Sequence, residues 1–349
     1  MKPRHALILG AGAAGLSCAR LLLLRGWQVD LVAPAAAITG PVVVLNPAAL
    51  ELLRSMWGLD AARLRGAHPL ARRLVAWEAG VPPASLDQPA LALPLDALTQ
   101  ELDARLDGAG LRRLRQDEPA GERRLVDARG RLGMADARRA GSRVALSTRV
   151  RLATHAPEDR CTLESVSGGW LFLVPLGGGA GMLQAVVPGC PDGEAATRLQ
   201  DLCGGSRLVA PLIDAADPRV RMQPAMPACS ADAARPQRIA IGDAALALDP
   251  VSGDGLASGL RGAALAAAVL DDAAAGGDLQ EGLQHYALRL AYAAHRHLAQ
   301  CLDLYRSVPA TAAWQHDIDA MAELAAQLQP GLRALRHGLR DGRLRRLAA

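Results

Sequence analysis

Aromatic residues are scarce in this chain of 349 residues, which has five Trp, three Tyr and one Phe. Half of the residues are apolar, so leucine, alanine and valine must fill most of the core. The composition is that of a globular protein rather than a disordered one. The length allows two domains, or one large domain with a smaller one embedded in it.

Lysine is almost absent, since Lys2 is the only one, and arginine carries nearly all of the positive charge behind the net charge of +4. No basic run is interleaved with aromatic residues, which argues against a nucleic-acid-binding surface. An arginine-rich surface could attract phosphates or acidic partners. However, the chain also has 35 acidic residues, so a balanced, solvated surface is the simpler interpretation.

The cysteines are few and widely separated, and none of the six forms a C-x-x-C pair, so the sequence indicates neither a zinc site nor a disulfide framework. His295 and His297 are two positions apart on a predicted helix and would point to different sides, which disfavours a metal site. No apolar run reaches the about 18 residues that a membrane span needs. The first 26 residues contain a glycine turn that the fold requires, not a cleavable signal, and we expect a cytoplasmic protein.

Two segments have the pattern of a strand, a glycine turn and a helix. In the first, HALILGAGAAGLSCARLLLL, the run GAGAAG has the G-x-G-x-x-G spacing of dinucleotide-binding turns. Gly10 permits the tight turn, Gly12 lets the backbone approach a pyrophosphate, and Gly15 lets helix and strand pack closely. Ala13 and Ala14 begin the helix, whose free N–H groups would face the phosphates.

An acidic residue that binds the ribose hydroxyls is expected about 20 residues beyond such a turn, at the end of the second strand. Ala33 occupies that position. Asp30 lies three residues earlier, inside the predicted strand, and would need a shifted register to replace it. The departure affects ribose recognition rather than the fold.

The second segment, RIAIGDAALALDPVSGDGLASGL, begins at Arg238 and leads into an alanine-rich helix. Three motifs carry a resemblance to a known family: GAGAAG near the start, VDARGR (126–131) in the middle, and GDAALALDPVSGDG (242–255) within this second segment. On these motifs the chain resembles the FAD-dependent monooxygenases of the p-hydroxybenzoate hydroxylase type, with their tryptophan-halogenase-like and geranylgeranyl-reductase-like relatives. GGWLFLVP (168–175) is similar to a tryptophan-bearing strand of the halogenase-like members. The resemblance covers most of residues 5–305.

The resemblance implies FAD as the cofactor. Asp243, on a strand expected beside the first, would accept hydrogen bonds from the ribityl chain, and the second helix would direct its positive end at the N1/C2 carbonyl edge of the flavin ring. Reduced flavin is anionic there, so a helix dipole stabilises it. The residues expected to bind FAD are Gly10, Gly12, Ala13, Ala14, Gly15, Gly242, Asp243, Pro250, Gly253, Asp254, Gly255 and Leu256.

The implied fold class is α/β: a Rossmann-like FAD-binding domain with an inserted β-sheet substrate domain and C-terminal helices. Alternating patterns between Arg143 and Val187 predict the antiparallel strands of the inserted sheet. The predicted division gives residues 1–66, 95–142 and 236–305 to the FAD-binding domain, residues 67–94 and 143–235 to the substrate domain, and residues 306–349 to a helical tail. The arginine-rich end of that tail is expected to pack its leucines (Leu332, Leu335 and Leu339) on the body, although an anionic membrane or an acidic partner could dock there.

The predicted function is an FAD-dependent monooxygenase. It would hydroxylate an aromatic or electron-rich substrate, either a small molecule or a group carried on a peptide or carrier protein, through a flavin C4a-hydroperoxide. Related halogenases use a lysine, so the single Lys2 disfavours halogenation. His68 would act as a base, although a packing role is the simpler interpretation for it and for the tryptophans. The candidate catalytic residues are His68, Arg72, Trp77, Trp170 and Phe172.

The source of electrons stays open, because no second G-x-G-x-x-G follows a strand: either NAD(P)H binds transiently or a separate flavin reductase supplies them. Leu95 stands where family members often carry an arginine that reaches the cofactor. Two alternatives remain. One is a flavin-dependent dehydrogenase or reductase that inserts no oxygen. The other, motivated by Ala33 and Leu95, is a degenerate, non-catalytic flavin-fold protein that binds a partner.

Overall fold

The computed structural model describes residues 4–33, 41–60, 64–78, 80–115, 121–134, 136–307, 311–329, 335–340 and 342–347. The helices in these residues are α1 (Ala13–Leu23), α2 (Pro47–Trp57), α3 (Leu95–Ala104), α4 (Ala195–Gly204), α5 (Gly255–Ala274), α6 (Leu279–Arg306) and α7 (Ala312–Leu328). The strands are β1 (His5–Leu9), β2 (Gln28–Val32), β3 (Val42–Leu45), β4 (His68–Ala76), β5 (Ala84–Pro94), β6 (Leu111–Leu114), β7 (Arg124–Asp127), β8 (Ala137–Arg139), β9 (Arg143–Leu152), β10 (Arg160–Val166), β11 (Gly169–Gly177), β12 (Ala180–Pro188), β13 (Ile213–Ala216), β14 (Arg221–Pro224), β15 (Ala228–Ser230), β16 (Ala234–Arg235), β17 (Arg238–Ala240), β18 (Leu246–Ala247), β19 (His337–Arg340) and β20 (Arg343–Arg346).

The first sheet has the order β16-β17-β7-β1-β2-β6, with β1 parallel to both of its neighbours. The apolar run of β1 is buried, as a strand covered on both faces must be. Helices α1 and α5 pack together over this sheet, and their apolar residues belong to one core. The expectation that β17 lies beside β1 is wrong, because β7 pairs in parallel with both and separates them.

The second sheet has the order β13-β9-β12-β11-β10-β4-β5-β3, and β14 also pairs with β9. Strands β9, β12, β11 and β10 are antiparallel in that order, as predicted, whereas β4 joins β10 in parallel. Helix α4 covers one face, where Leu199 and Leu202 pack against Leu171 and Leu173. Because side chains alternate along a strand, Trp170 and Phe172 point to the opposite face.

Two strands depart from the predicted division into domains. Strand β3, within residues 1–66, pairs with β5 at the edge of the second sheet. Strand β16, within residues 143–235, pairs with β17 in the first sheet. The α/β fold with an inserted sheet is confirmed, and the exact domain boundaries remain a prediction.

The C-terminal region is helical only in part. After α7, strands β19 and β20 form an antiparallel hairpin, so the prediction of a helical tail to residue 349 is wrong here. Gly342 adopts a φ of +69°, which a turn tolerates and a helix does not. The pattern along β20 has a period of two: Leu344 is buried against the core of the first sheet between the exposed Arg343 and Arg345. Leu332 lies outside the described residues.

Candidate functional site

The two glycine turns meet. A Cβ atom at Gly10, where φ is +107°, would lie 2.4 Å from the carbonyl oxygen of Ala128, and one at Gly15 would lie 2.0 Å from the carbonyl oxygen of Gly10. At Gly242, where φ is +58°, a Cβ would lie 3.1 Å from the Cβ of Ala14. The start of α1 therefore packs directly on the late glycine turn.

Both helix starts are left uncapped. Gly12 is the N-cap of α1 and provides no side-chain hydrogen bond, and α5 follows Asp254, whose side chain also makes no cap. The Asp254 carboxylate is engaged instead by Arg261. Cβ atoms at Gly12 and Gly255 would meet nothing within 4 Å. Two sets of free N–H donors thus face open space, as an anionic ligand requires.

Asp243 lies between these helix starts, in the 3-10 turn Gly242–Ala244. Burial by the surrounding protein raises the pKa of the Asp243 carboxyl, while the nearby Arg131 guanidinium acts in the opposite direction. The side chain nevertheless stays accessible. A poorly hydrated carboxylate at this place fits a ligand that donates hydroxyl groups.

A cavity of about 210 Å³ separates the late glycine turn from the face of the second sheet. The backbone of Gly253, where φ is +62°, lines it beneath the sheet. From the turn and helix α5 it is lined by Pro250, Gly253, Gly255 and Leu256, and from the sheet by Val42, Val43, Val44, Ala145, Ser147, Phe172, Val174, Met182, Gln184 and Gln223, with Pro41 at its edge. The structure thus brings Phe172 together with four predicted cofactor residues.

Arg73, which the sequence analysis missed, lies beside two residues that line this cavity, Phe172 and Gly253, whereas Arg72 does not. Its guanidinium lies 5.5 Å from the centre of the Phe172 ring, and an Nη atom is 3.6 Å from where a Cβ at Gly253 would be. Its Nε is buried and has no hydrogen-bond partner among the described residues. The exposed Arg72 side chain points instead toward Asp159, 3.9 Å away.

A β-bulge explains the exchange of the two arginines. The backbone N–H groups of Ala71 and Arg72 both reach the carbonyl oxygen of Asp159, and the register of β4 shifts between Leu70 and Arg72. Leu70 and Arg73 therefore face the same side, although they are three residues apart. If the side chains of β4 alternated regularly from Leu70 onward, Arg72 rather than Arg73 would lie on the side of Leu70.

His68 does not line this cavity. Its Nε2 bonds the carbonyl oxygen of Glu158 at 2.6 Å, and its ring packs on the glycine turn at Gly177. These contacts connect β4 to neighbouring turns and keep the ring outside the cavity, which fits the packing role considered for His68.

Trp77 and Trp170 line a second, larger cavity of about 800 Å³. Tyr305 and Trp314 also line it, and Glu78, residues 80–83, residues 164–169, Gly205, Arg207 and Leu208 form most of the rest. Trp77 donates its Nε1 hydrogen to the carbonyl oxygen of Leu304 at 2.8 Å. Trp170 lies two positions before Phe172 on β11, so the two cavities adjoin along one face of the sheet.

A buried ionic network separates the two cavities. The side chains of Arg143, Asp249 and Asp317 have no exposed surface, and Arg143 lies 3.1 Å from Asp249 and 3.5 Å from Asp317. Tyr305 donates to Asp249 Oδ1 at 3.0 Å, and His297 Nε2 accepts from the backbone N–H of Asp249 at 2.8 Å. Burial lowers the pKa of His297, so the neutral ring can accept this bond.

Asp30 is not available for ribose recognition. Its carboxylate accepts hydrogen bonds from Arg112 at 2.8 and 3.0 Å and from Arg123 at 2.6 Å, and His5 lies 3.0 Å away. The hydrogen bond from Arg112, with that from Arg123, holds the pKa of the Asp30 carboxyl well below its usual range. Asp30 therefore does not replace the acidic residue that is missing at Ala33. Leu95, at the start of α3, packs against the apolar core.

No group of three or more His, Cys, Asp or Glu side chains among the described residues could hold a metal ion. Within the same ranges, no helix combines the length and apolarity that crossing a bilayer demands.

No protein-family model and no curated protein matches the chain. Solved structures do. The peptidyl tryptophan dihydroxylase QhpG, described as essential for tryptophylquinone cofactor biogenesis, is 25% identical, with a TM-score of 0.76 over 99% of this chain and 86% of that one. The myxobacterial chondrochloren halogenase CndH, an FAD-dependent halogenase, is 16% identical, with a TM-score of 0.79 over 95% and 98%. PqsL of Pseudomonas aeruginosa, a probable FAD-dependent monooxygenase, is 21% identical, with a TM-score of 0.64 over 92% and 99%.

Proposed function

Because the chain has the fold of the FAD-dependent monooxygenases and halogenases, we propose that it is an FAD-dependent hydroxylase that acts on an aromatic side chain carried by a peptide or protein. The observation that carries the proposal is the contact between two glycine turns whose helix starts have no side-chain cap, with a cavity between the later turn and a sheet. The likeness to QhpG, which spans nearly the whole chain, supports the peptide-borne substrate.

The residues present fit FAD. Gly10, Gly12 and Gly15 would hold the pyrophosphate on the N–H groups of α1, and Asp243 would accept hydrogen bonds from the ribityl hydroxyls. The turn from Pro250 to Gly255 would hold the ring, with α5 directed at its anionic edge. Bound and reduced, FAD supplies the activation of molecular oxygen.

The smaller cavity would orient the target ring and keep water away. Its apolar wall of Val42, Val44, Val174 and Met182 limits the entry of water. Ser147, Gln184 and Gln223 offer hydrogen bonds that would fix the substrate, and the guanidinium of Arg73 lies next to Phe172 and Gly253, which line the same cavity. Such positioning accounts for much of the rate that an enzyme of this kind can gain.

Hydroxylation is preferred over halogenation because none of the described residues is a lysine, the residue that related halogenases use. Electrons would come from transiently bound NAD(P)H or from a flavin reductase. Assays with each donor alone separate these two routes.

The test begins with the absorbance spectrum of the purified protein before and after FAD is added. A tryptophan-containing peptide is then incubated with the FAD-loaded protein, isotopically labelled O₂ and each electron donor, with catalase present to remove free peroxide. Mass spectrometry should show labelled oxygen in the peptide, coupled to oxygen consumption.

Two results would contradict the proposal. Flavin turnover without oxygen in any aromatic product would favour the dehydrogenase or reductase alternative. Failure to bind FAD would favour the non-catalytic, partner-binding alternative.

A further inference from the structure

The C-terminal hairpin turns an arginine-bearing face toward solvent. Leu344 is buried against the core of the first sheet, so its neighbours on β20, Arg343 and Arg345, point the other way. Arg340 of β19 is the cross-strand partner of Arg343 and therefore lies on the same outer side. We call the side chains of Arg340, Arg343 and Arg345 the arginine face.

The arginine face has no counterion among the described residues. Its three guanidinium groups form no ion pair and no hydrogen bond there, and neither do those of Arg336 and Arg346, which flank it and are also exposed. Exposed arginines elsewhere behave differently, since Arg54, Arg105 and Arg113 lie 2.7, 2.6 and 2.6 Å from a carboxylate oxygen. The hairpin thus concentrates unpaired positive charge at one end of the molecule.

Two of these charges oppose each other directly. Arg340 and Arg343 form a cross-strand pair at the turn of the hairpin, and like charges in such a pair are destabilising. Glu281, an acidic residue beside the hairpin, lies 3.7 Å from His337 instead. Asp341 lies outside the described residues. A negatively charged surface laid over the arginine face would relieve the repulsion.

Apolar side chains accompany the arginines. Leu347, 40% exposed, lies over the outer side of the hairpin, 3.2 Å from where a Cβ at Gly338 would be. Leu339 is 41% exposed. Leu24, 67% exposed, precedes Arg25, whose guanidinium donates to a carbonyl oxygen of the hairpin turn at 2.6 Å. Three of the seven large apolar side chains that are exposed within the described part of the chain therefore lie at this end.

This combination favours a lipid surface over an acidic protein segment. Anionic headgroups attract clustered arginines, and exposed leucines enter the boundary between headgroups and acyl chains. The aliphatic stems of the arginines add to the same contact. A purely acidic segment would pair with the arginines and leave the leucines in water.

We propose that the arginine face and the leucines beside it dock the protein on the surface of an anionic lipid bilayer. Leu344 and Arg25 hold the hairpin on the body, so it can present this surface without refolding. Helix α1 begins at the first glycine turn and ends beside the hairpin, which places the docking surface at the opposite end of this helix from the proposed FAD site. The inference is independent of the proposed function.

The first test sediments the full chain with phosphatidylcholine vesicles that either contain or lack phosphatidylglycerol. The vesicles with phosphatidylglycerol should bind the protein at least about tenfold more tightly than those without it. Raising the salt concentration should weaken this binding, because ions screen the attraction between exposed charges.

The second test replaces all three residues of the arginine face by Arg→Gln substitution. Each arginine near an anionic surface contributes about fivefold in affinity, so the Kd for the anionic vesicles should rise at least about thirtyfold. The matched control is Arg54→Gln/Arg105→Gln/Arg113→Gln, which removes the same total charge from paired arginines and should stay within about threefold of the wild-type Kd. Urea titration of the arginine-face variant should show no loss of stability, because opposing charges are removed.

The third test separates a bilayer from an acidic protein. Leu339→Ser/Leu347→Ser should raise the Kd for the anionic vesicles at least about fivefold, since two exposed apolar side chains no longer enter the lipid boundary. Polyglutamate serves as the acidic comparator and should bind more weakly than the vesicles.

Three results would overturn the proposal. They are equal binding to vesicles with and without phosphatidylglycerol, undiminished binding of the arginine-face variant, and saturable binding to polyglutamate without binding to vesicles, which would indicate an acidic protein partner instead. None of these assays uses FAD or a peptide, so their outcome is separate from the success or failure of the proposed function.

Discussion

Replacement of Gly12 by alanine tests the FAD site without disturbing the fold. A Cβ at this position meets no protein atom within 4 Å, and the backbone angles of Gly12, φ −75° and ψ 175°, suit any residue. The free energy of unfolding of the FAD-free protein should therefore change by less than about 0.5 kcal/mol. The new methyl group would instead occupy the space that the pyrophosphate needs.

The expected loss of affinity follows from the hydrogen bonds that the methyl group would prevent. One charge-assisted bond from the start of α1 to a phosphate contributes about 2 kcal/mol, so Gly12→Ala should raise the Kd of FAD roughly thirtyfold. Isothermal titration calorimetry or quenching of flavin fluorescence measures it.

The matched control is Gly204→Ala, at the end of α4, where a Cβ also meets nothing within 4 Å. It should bind FAD like the wild-type protein. Wild-type affinity in Gly12→Ala would show that the pyrophosphate lies elsewhere, and a large loss of stability would show that the space is not open.

Three further predictions concern single side chains. Arg73→Gln should lower kcat/KM for the peptide at least about tenfold, since its charge lies beside the smaller cavity, whereas Arg72→Gln should stay within about twofold. Equal effects of the two variants in steady-state assays would contradict this placement of the two arginines. Asp30→Asn should lower the free energy of unfolding by about 2 kcal/mol in urea titrations while FAD affinity is kept, and altered affinity would argue for a ribose role. Because the folded pKa of Asp30 is depressed, its stabilisation is complete above the unfolded pKa of about 3.9 and is lost as the pH falls toward the folded value; Asp30→Asn should lack this acid dependence. A Cβ at Gly141 would lie 2.4–2.6 Å from the Asp317 carboxylate, whereas a Cβ at Gly193, which has the same φ of +86°, would meet open space. Gly141→Ala should therefore lower the free energy of unfolding, measured by thermal unfolding, by about 2 kcal/mol more than Gly193→Ala. Equal losses of stability would mean that only the backbone angle φ matters.

Local spacing was sufficient to predict the two glycine turns and the antiparallel strands, whereas the α/β fold class was implied by the resemblance to the FAD-dependent monooxygenases. Gly10 and Gly15 are required because backbone atoms stand where a side chain would be, and G-x-G-x-x-G records that restriction directly. Alternation along β11 likewise predicts that Trp170 and Phe172 share a face. These features depend on neighbours close in the chain, which a single sequence displays.

The remaining site residues depend on contacts that no local pattern displays. Arg143, Asp249 and Tyr305 come from β9, the late turn and α6, and only the packing of those elements brings them together. Asp249 is part of the late motif, but nothing in the sequence distinguishes it from its neighbours or predicts that it is paired with Arg143. The C-terminal hairpin was missed because its arginines and leucines suit an amphipathic helix as well as a two-residue repeat.

The register shift beside the cavity depends on the number of residues in two strands. Between the pairs Leu70–Ala90 and Arg72–Asp87, β4 has one residue, Ala71, where β5 has two, Gln88 and Pro89. Removing one of those two β5 residues would restore equal spacing, and regular alternation along β4 would then turn Arg72 rather than Arg73 toward the side of Leu70. A change in backbone count at the rim, with every lining residue intact, would thus move the positive charge that a bound substrate meets.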